Sequence, residues 1–196
     1  GAAAMVQDGV MESPAPERSL ALHIWNDKPF GWAAATDGPC MAASERFSIT
    51  LQGKGGHGAS PYQTKDPVTA SAQIITALQT IVSRNVNALE SAVISVTMVN
   101  AGDAFNIVPD SAVLRGTIRT FNPAVRGLVL RRVREVAEGV ARAMECAPTV
   151  ELVSTTPAVV NDSTMSAGVR ELAKALPGVT QVSADERTMG SEDMAF

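Results

Sequence analysis

The sequence predicts a mixed α/β protein in which a ferredoxin-like β-α-β-β-α-β domain is inserted between two incomplete flanking segments. Apolar residues that alternate with polar ones indicate the strands, and an Asp-Pro and an Asn-Pro pair indicate the starts of two helices. The expected divisions are residues 1–43, 44–155 and 156–196. Both ends lack the signals that begin or close an element, so we expect a piece of a longer protein, with a deliberately trimmed chain as the alternative.

The first segment is expected to hold the end of a helix and two strands. Residues 1–11 carry small and apolar residues but no capping residue, which is typical of a helix that starts upstream. The apolar run at 20–25 predicts one strand, and residues 32–36 predict a second. Gly38-Pro39 then predicts a turn that leads into the next segment.

The middle segment begins with a strand and a helix. Phe47, Ile49 and Leu51 alternate with polar residues, which predicts a half-buried strand. Asp66-Pro67 predicts a helix N-cap followed by proline at the first helical position. The face of this helix that we expect to be buried carries Val68, Ala72, Ile75, Leu78 and Val82.

The same pattern continues through the rest of the middle segment. Residues 92–99 and 110–120 predict two strands, and Asn122-Pro123 predicts the start of a second helix. The apolar face of that helix is expected to carry Val125, Val129, Val133, Val136, Val140 and Met144. Residues 149–153 predict the last strand. This order is that of the split βαβ fold, so we expect a four-stranded antiparallel sheet with both helices on one face.

The last segment is expected to add a helix and a short strand. Asp162 or Ser163 is expected to begin the helix, and Pro177-Gly178 is expected to end it. Residues 179–182 then predict the strand.

The composition argues against several classes of function. The net charge is −4 and the chain has no basic cluster, which argues against a nucleic-acid partner. No apolar run approaches the roughly 20 residues of a membrane span. Cys40 and Cys146 match no zinc-ribbon spacing, so we expect two reduced thiols in a cytoplasmic protein.

The two histidines of the chain are the first candidates for chemistry. His23 follows an apolar run, so it is either a core histidine that donates to a backbone carbonyl or a metal ligand at a strand end. His57 lies in the glycine-rich stretch Gly53-Lys-Gly-Gly-His57-Gly, where it is either simply exposed or a hydrogen-bond donor on a mobile loop.

Other polar residues allow two interpretations each. Arg119 either pairs with a surface carboxylate or clamps a bound carboxylate with its planar guanidinium. Asn106 is either an ordinary turn residue or a substrate ligand. Glu192 and Asp193 fit the acidic first turn of a helix, so we assign neither a catalytic role. Lys54 fits a solvated turn charge better than a base.

Six motifs occur in an order that resembles a known family. They are Ala21-Leu-His23, Gly53-Lys-Gly-Gly-His57, Asp66-Pro67, Asn106-Ile-Val-Pro-Asp110, Gly116-Thr-Ile-Arg-Thr-Phe121 and Met189-Gly-Ser-Glu-Asp193. Together they resemble the metal-dependent aminoacylase and carboxypeptidase family. The branch they resemble most hydrolyses N-acyl amino acids, as hippurate hydrolase and indole-acetyl-amino-acid hydrolase do. One departure is Tyr62, since related amidohydrolases commonly carry a second histidine there.

The resemblance implies a two-metal α/β hydrolase catalytic domain interrupted by a ferredoxin-like lid, also called the dimerisation domain. Residues 1–43 and 156–196 would be truncated pieces of the catalytic domain, and 44–155 would be the lid. His23 would bind one of two divalent ions, which could be zinc, manganese, cobalt or nickel. The other metal ligands and a pair of adjacent glutamates would lie outside this chain, so the resemblance implies that the chain alone is inactive.

The resemblance also implies roles for three lid residues. His57 would hydrogen-bond the developing oxyanion, often in the active site of the partner subunit, while Asn106 and Arg119 would bind the carboxylate of the substrate. The expected function is that of a metal-dependent amidohydrolase that cleaves N-acyl amino acids and forms a homodimer through its lid. The alternative is a non-catalytic ferredoxin-like interaction module that dimerises through an edge strand or a helix face.

Overall fold

The computed structural model describes all residues, Gly1–Phe196, and they form two compact units. One unit comprises Gly1–Ala43 with Thr156–Phe196, and the other comprises Ser44–Thr155. The helices are α1 (Ala2–Gln7), α2 (Pro67–Asn85), α3 (Pro123–Ala143) and α4 (Ser163–Lys174), with 3₁₀ turns at Pro61–Gln63 and Asp193–Ala195. The strands are β1 (Trp32–Ala34), β2 (Gly38–Met41), β3 (Ala43–Gln52), β4 (Gly56–His57), β5 (Ala92–Ala101), β6 (Ile107–Val108), β7 (Ser111–Thr120), β8 (Ala147–Thr156), β9 (Val159–Asn161) and β10 (Gln181–Ser183).

The unit Ser44–Thr155 is built on a four-stranded sheet with the strand order β5-β7-β3-β8. Strands β5 and β7 pair antiparallel, from Ala92 opposite Thr120 to Ala101 opposite Ala112. The first and third of the four strands are central and the second and fourth form the edges, which is the ferredoxin-like arrangement predicted from the sequence. Outside this sheet, β4 and β6 form a separate two-residue antiparallel ribbon.

Both long helices start where the sequence predicts. The Asp66 side chain accepts hydrogen bonds from the backbone N–H groups of Val68 and Thr69, and the Asn122 side chain accepts one from Ala124. Each cap satisfies backbone donors that a helix start leaves without intrahelical partners. The two helices pack against each other over one face of the sheet and share a single core with its strands.

The buried face predicted for α2 is confirmed at Leu78 and in part at Ile75 and Val82, which pack against the core, but it is wrong at Val68 and Ala72. The structure buries Ala70, Ile74, Leu78 and Ile81, whereas Val68 is 47% exposed. Two rows of apolar residues run along this helix and share Leu78. Charged residues do not mark either row as the solvent-facing one, so the sequence alone does not show which row is buried. The face predicted for α3 is confirmed at Val125, Val129 and Val133, and it continues through the buried Ala137 and Ala141.

The unit formed by the two ends of the chain contains only short strand pairs. Strand β1 pairs parallel with β10, and β2 pairs antiparallel with β9. Helix α4 begins at the N-cap Asp162, whose side chain accepts a hydrogen bond from Met165, as predicted. None of the helices in the structure has the length and apolar composition required to cross a membrane.

The strand predicted at 20–25 is wrong. These residues are irregular, and the apolar side chains of Leu20, Leu22 and Ile24 are 74%, 92% and 83% exposed. A strand requires a neighbour that satisfies its backbone groups, and no segment of this chain pairs with this run. The alternating pattern therefore describes a segment that could be buried on one face but is not buried here.

Candidate functional site

The ribbon of β4 and β6 brings two predicted site residues together. His57 lies opposite Ile107, and Gly56 lies opposite Val108. The pairing continues beyond the ribbon, since the backbone N–H of Gly58 donates to the carbonyl oxygen of Asn106 at 2.8 Å. His57 and Asn106 are therefore neighbours across the same short ladder, and both are exposed.

The ring of His57 has a defined donor edge. Its Nδ1 atom lies 3.1 Å from the backbone nitrogen of Ala59, which donates to it. A neutral imidazole that accepts at Nδ1 carries its proton on Nε2. His57 therefore presents an N–H donor at the exposed side of the ring, which is the group needed to hydrogen-bond an oxygen that gains negative charge during a reaction.

Arg119 lies in β7 and is half-buried among neutral acceptors. Its guanidinium donates to the Ser44 hydroxyl, to the Thr117 hydroxyl at 2.5 Å and to the Ile118 carbonyl at 3.2 Å. Arg119 takes part in none of the ion pairs of the structure, unlike Arg126, which pairs with the buried Glu45. A guanidinium fixed by neutral partners keeps its charge available for an anion.

Arg119 is far from the ribbon within one chain. The ribbon lies next to the Ser111 end of β7, and Arg119 lies near the opposite end. The eight residue-to-residue steps from Ser111 to Arg119 span about 26 Å at the rise of an antiparallel strand. One chain therefore brings His57 and Asn106 together but does not bring Arg119 to the same small molecule.

His23 is exposed and lies in an irregular segment, so it is not a core histidine. Its Nδ1 atom lies 3.1 Å from the Ile24 carbonyl, and its ring stacks on Trp25 with the centroids 4.2 Å apart. Because a carbonyl oxygen only accepts, Nδ1 donates and Nε2 keeps its lone pair. His23 therefore fits one metal-ligand position. No three His, Cys, Asp or Glu side chains of this structure are grouped so that they could hold a metal ion.

Of the remaining candidate residues, some make hydrogen bonds within the fold and the others have no side-chain partner. Glu192 accepts a hydrogen bond from the Asp193 N–H, and Asp193 accepts one from the Ala2 N–H, which holds the pKa of the Asp193 carboxyl below its usual value. The backbone of Lys54 pairs with Lys65, and its side chain is exposed. Both cysteines are free, and burial raises the pKa of each thiol, so neither is poised as a thiolate nucleophile.

Two polar features of the inserted unit were missed by sequence reasoning. Glu45 is fully buried and forms an ion pair with Arg126 from α3. Asp110 accepts a hydrogen bond from the backbone N–H of Gly55 with its carboxylate. Asp110 belongs to one of the six motifs, but its partner lies 55 positions away, and no periodic signal reports such a contact.

Comparison with known proteins places this chain in a family. Residues 44–144 match the family described as the peptidase dimerisation domain of the M20 peptidases. The chain is 38% identical over its full length to the N-acetylcysteine deacetylase of Bacillus subtilis and 36% identical to the hippurate hydrolase of Campylobacter jejuni, covering 50% and 51% of these relatives.

A solved structure shows the same relation. The structure of a dinuclear metal-binding peptidase of the M20 family from Bacillus subtilis superposes with a TM-score of 0.74 at 32% identity, over all of this chain and 48% of that one. The chain thus spans about half the length of the relatives it matches. The resemblance drawn from the six motifs is confirmed: the chain belongs to the M20 peptidase family, whose dimerisation domain it carries at residues 44–144.

Proposed function

We propose that the protein to which this chain belongs is a metal-dependent amidohydrolase that cleaves N-acyl amino acids, hippurate-like compounds among them. The names of the deacetylase and hippurate hydrolase relatives support this substrate class. The observation that carries the proposal is the arrangement of His57, which offers an exposed Nε2–H donor at the end of a short ladder. Hydrolysis of an amide passes through a tetrahedral oxyanion, which such a donor stabilises.

Asn106 and Arg119 would bind the free carboxylate of the substrate. Asn106 lies beside His57, whereas Arg119 lies at the opposite end of β7. If all three residues act on one substrate, they must come from two copies of the chain. We therefore propose that each site combines His57 and Asn106 of one protomer with Arg119 of the other.

The surface proposed for the homodimer is the edge formed by β5 and α2. Strand β5 carries no charged residue, and Arg84 is the only charged residue of α2, whereas α3 carries many. Protein interfaces are depleted in charge at their centre, and an edge strand presents unpaired backbone groups to a partner. The exposed apolar side chains of Met98 and Val99 lie on this edge.

Val99→Glu is expected to dissociate the dimer, because it places a charge on the proposed interface. Val153→Glu is the matched control, since Val153 lies on the other edge strand, β8, and is 47% exposed against 53% for Val99. Sedimentation velocity should show a dimer for the unmodified chain and for Val153→Glu, and a monomer for Val99→Glu. A monomeric unmodified chain, or dissociation by Val153→Glu alone, would reject this surface.

We propose that residues 1–43 and 156–196 belong to the catalytic domain and that His23 contributes one ligand to two divalent ions, which could be zinc, manganese, cobalt or nickel. When bound, these ions would supply an activated water. The remaining ligands would come from residues outside this chain, because no group of three or more His, Cys, Asp or Glu side chains in the structure could hold a metal ion.

The 196-residue chain alone is expected to bind zinc or manganese weakly and to hydrolyse no N-acyl amino acid. The reason is that a catalytic metal site needs about three protein ligands, whereas the structure contains no group of three such side chains and His23 is the only ligand proposed. Isothermal titration and an assay with hippurate and N-acetyl amino acids would check both statements. Tight stoichiometric binding or measurable turnover by this chain would contradict them.

The longer protein provides the test of the proposed function itself. It is expected to hydrolyse the same substrates and to lose this activity in the presence of a chelator. The second candidate, a non-catalytic dimerisation module, is favoured by the β5–α2 edge, on which Arg84 is the only charged residue. A longer protein that dimerises but hydrolyses none of these substrates with any of the four metals would decide for the module.

A further inference from the structure

Asp110 lies where the His57 loop meets the start of β7, and it contacts that loop with two different groups. Its carboxylate Oδ1 accepts the backbone N–H of Gly55 at 2.7 Å. Its carbonyl oxygen accepts the backbone N–H of Gly53 at 2.8 Å and the Gln52 side-chain amide at 3.0 Å. One residue therefore contacts Gln52, Gly53 and Gly55 on the path from β3 to His57.

The carboxylate is needed because the ladder is interrupted at this point. Lys54 turns away from Asp110 and pairs with Lys65 instead, with N–O distances of 3.0 and 2.9 Å. Regular pairing resumes only at Gly56, opposite Val108. The N–H of Gly55 falls between these two pairings, and the carboxylate of Asp110 takes the place of the missing strand carbonyl.

The loop fits this position closely. A Cβ atom on Gly55 would lie 2.6 Å from the Val108 carbonyl oxygen and 3.1 Å from Oδ1 of Asp110. A Cβ atom on Gly53 would lie 2.2 Å from the Lys65 carbonyl oxygen. Only glycine allows the chain at Gly53 and Gly55 to approach these carbonyl oxygens so closely, which explains the presence of both glycines in the motif that ends at His57. The path of the loop is therefore set by contacts at Gly53 and Gly55, four and two residues before the histidine.

We infer that Asp110 is a positioning residue for His57. By holding Gly53 and Gly55, it sets where β4 begins and therefore where the Nε2–H of His57 points. Because Asn106 immediately precedes β6 and accepts a hydrogen bond from Gly58, Asp110 also fixes the spacing between His57 and Asn106. The effect of Asp110 on the geometry of His57 does not depend on the activity of the protein, whereas its effect on the reaction rate rests on the proposed function.

The structural part can be tested in the 196-residue chain by nuclear magnetic resonance. Asp110→Ala is expected to speed hydrogen exchange of the Gly55 amide by about 10-fold or more and to shift the ring signals of His57. Asp110→Asn keeps an oxygen acceptor and should restore both. Asp103→Ala is the matched control, because Asp103 is an exposed carboxylate of the adjoining loop without a side-chain hydrogen bond or ion pair in the structure. The thermal unfolding midpoint shows whether each variant remains folded.

The kinetic part needs the longer protein. Asp110→Ala is expected to lower kcat by about 10- to 100-fold with KM within about threefold, because a small displacement of a transition-state donor costs rate rather than binding. Asp110→Asn should recover most of the rate. In a His57→Ala background, Asp110→Ala should have almost no further effect on kcat, since the group that it positions is already absent.

The possible results distinguish the structural role of Asp110 from its effect on catalysis. An unchanged Gly55 exchange rate and unchanged His57 signals in folded Asp110→Ala would overturn the positioning role itself. A changed His57 environment with kcat unaffected in both Asp110→Ala and His57→Ala would support the positioning role of Asp110 and reject His57 as the transition-state donor, whereas a longer protein without any hydrolysis would reject the proposed function. A full additional loss of kcat in the His57→Ala background would show that Asp110 acts through another residue, which also overturns the inference.

Discussion

Replacing His57 by alanine in the longer protein is expected to lower kcat by about 10²–10³-fold and to change KM little. The Nε2–H of His57 is the proposed donor to the tetrahedral oxyanion, and its orientation follows from the hydrogen bond that Nδ1 accepts from Ala59. Because the negative charge on that oxygen develops only in the transition state, the loss should fall on kcat. Steady-state kinetics with one N-acyl amino acid would measure it.

Gln63→Ala is the matched control for this prediction. Gln63 is exposed in the same loop, and its side chain hydrogen-bonds only the Tyr62 hydroxyl, at 3.3 Å. It should leave both constants close to those of the unmodified protein. An intact kcat in His57→Ala would mean that the lid provides no transition-state donor, and the unit Ser44–Thr155 would then be better described as a dimerisation module alone.

The parts of the fold that sequence reasoning predicted well are determined by local contacts. The two helix starts depend on a capping side chain and a proline within three residues, so Asp66-Pro67 and Asn122-Pro123 are sufficient to place them. The strand that contains Phe47, Ile49 and Leu51 is similarly defined by its own alternation, and these three side chains are buried as expected.

The parts that could not be predicted depend on distant partners. The run 20–25 has the composition of a strand, but no segment of this chain pairs with it. The ribbon of β4 and β6 has two residues in each strand, which is too short for any periodic signal. Its position depends instead on Asp110, which lies far from Gly55 in the sequence.

For the candidate site, too, the sequence predicts the local features but not those that depend on distant parts of the chain. The motifs identify the residue types that could bind an oxyanion or a carboxylate, but they do not report which end of a strand each residue occupies. Only the sheet topology shows that His57 and Asn106 lie beyond one end of β7 and Arg119 near the other. The proposal that two protomers share one site follows from that separation, and it makes the role of Arg119 testable in two ways.

Arg119→Ala is expected to raise KM by about 10- to 100-fold for substrates with a free α-carboxylate, which corresponds to the loss of a charged hydrogen bond. It should have little effect on the corresponding carboxamides, which carry no charge for the guanidinium to bind. Arg119→Lys should be intermediate, because lysine keeps the charge but loses the planar fork. Arg115→Ala is the matched control, since Arg115 is exposed on the same strand and forms no ion pair. An unmodified enzyme that treats acid and carboxamide alike would reject the carboxylate clamp.

Mixing His57→Ala with Arg119→Ala protomers tests whether the two residues act on one substrate from different chains. In a mixed dimer of the proposed kind, one site lacks both residues and the other retains both. Random exchange of equal amounts makes half of the dimers mixed, so about a quarter of all sites should be intact in a two-fold symmetric assembly. Activity at low substrate should therefore rise from nearly zero in each variant alone to about a quarter of the unmodified level on mixing. If both residues served the same site from one chain, every site would lack one of them and mixing would restore nothing.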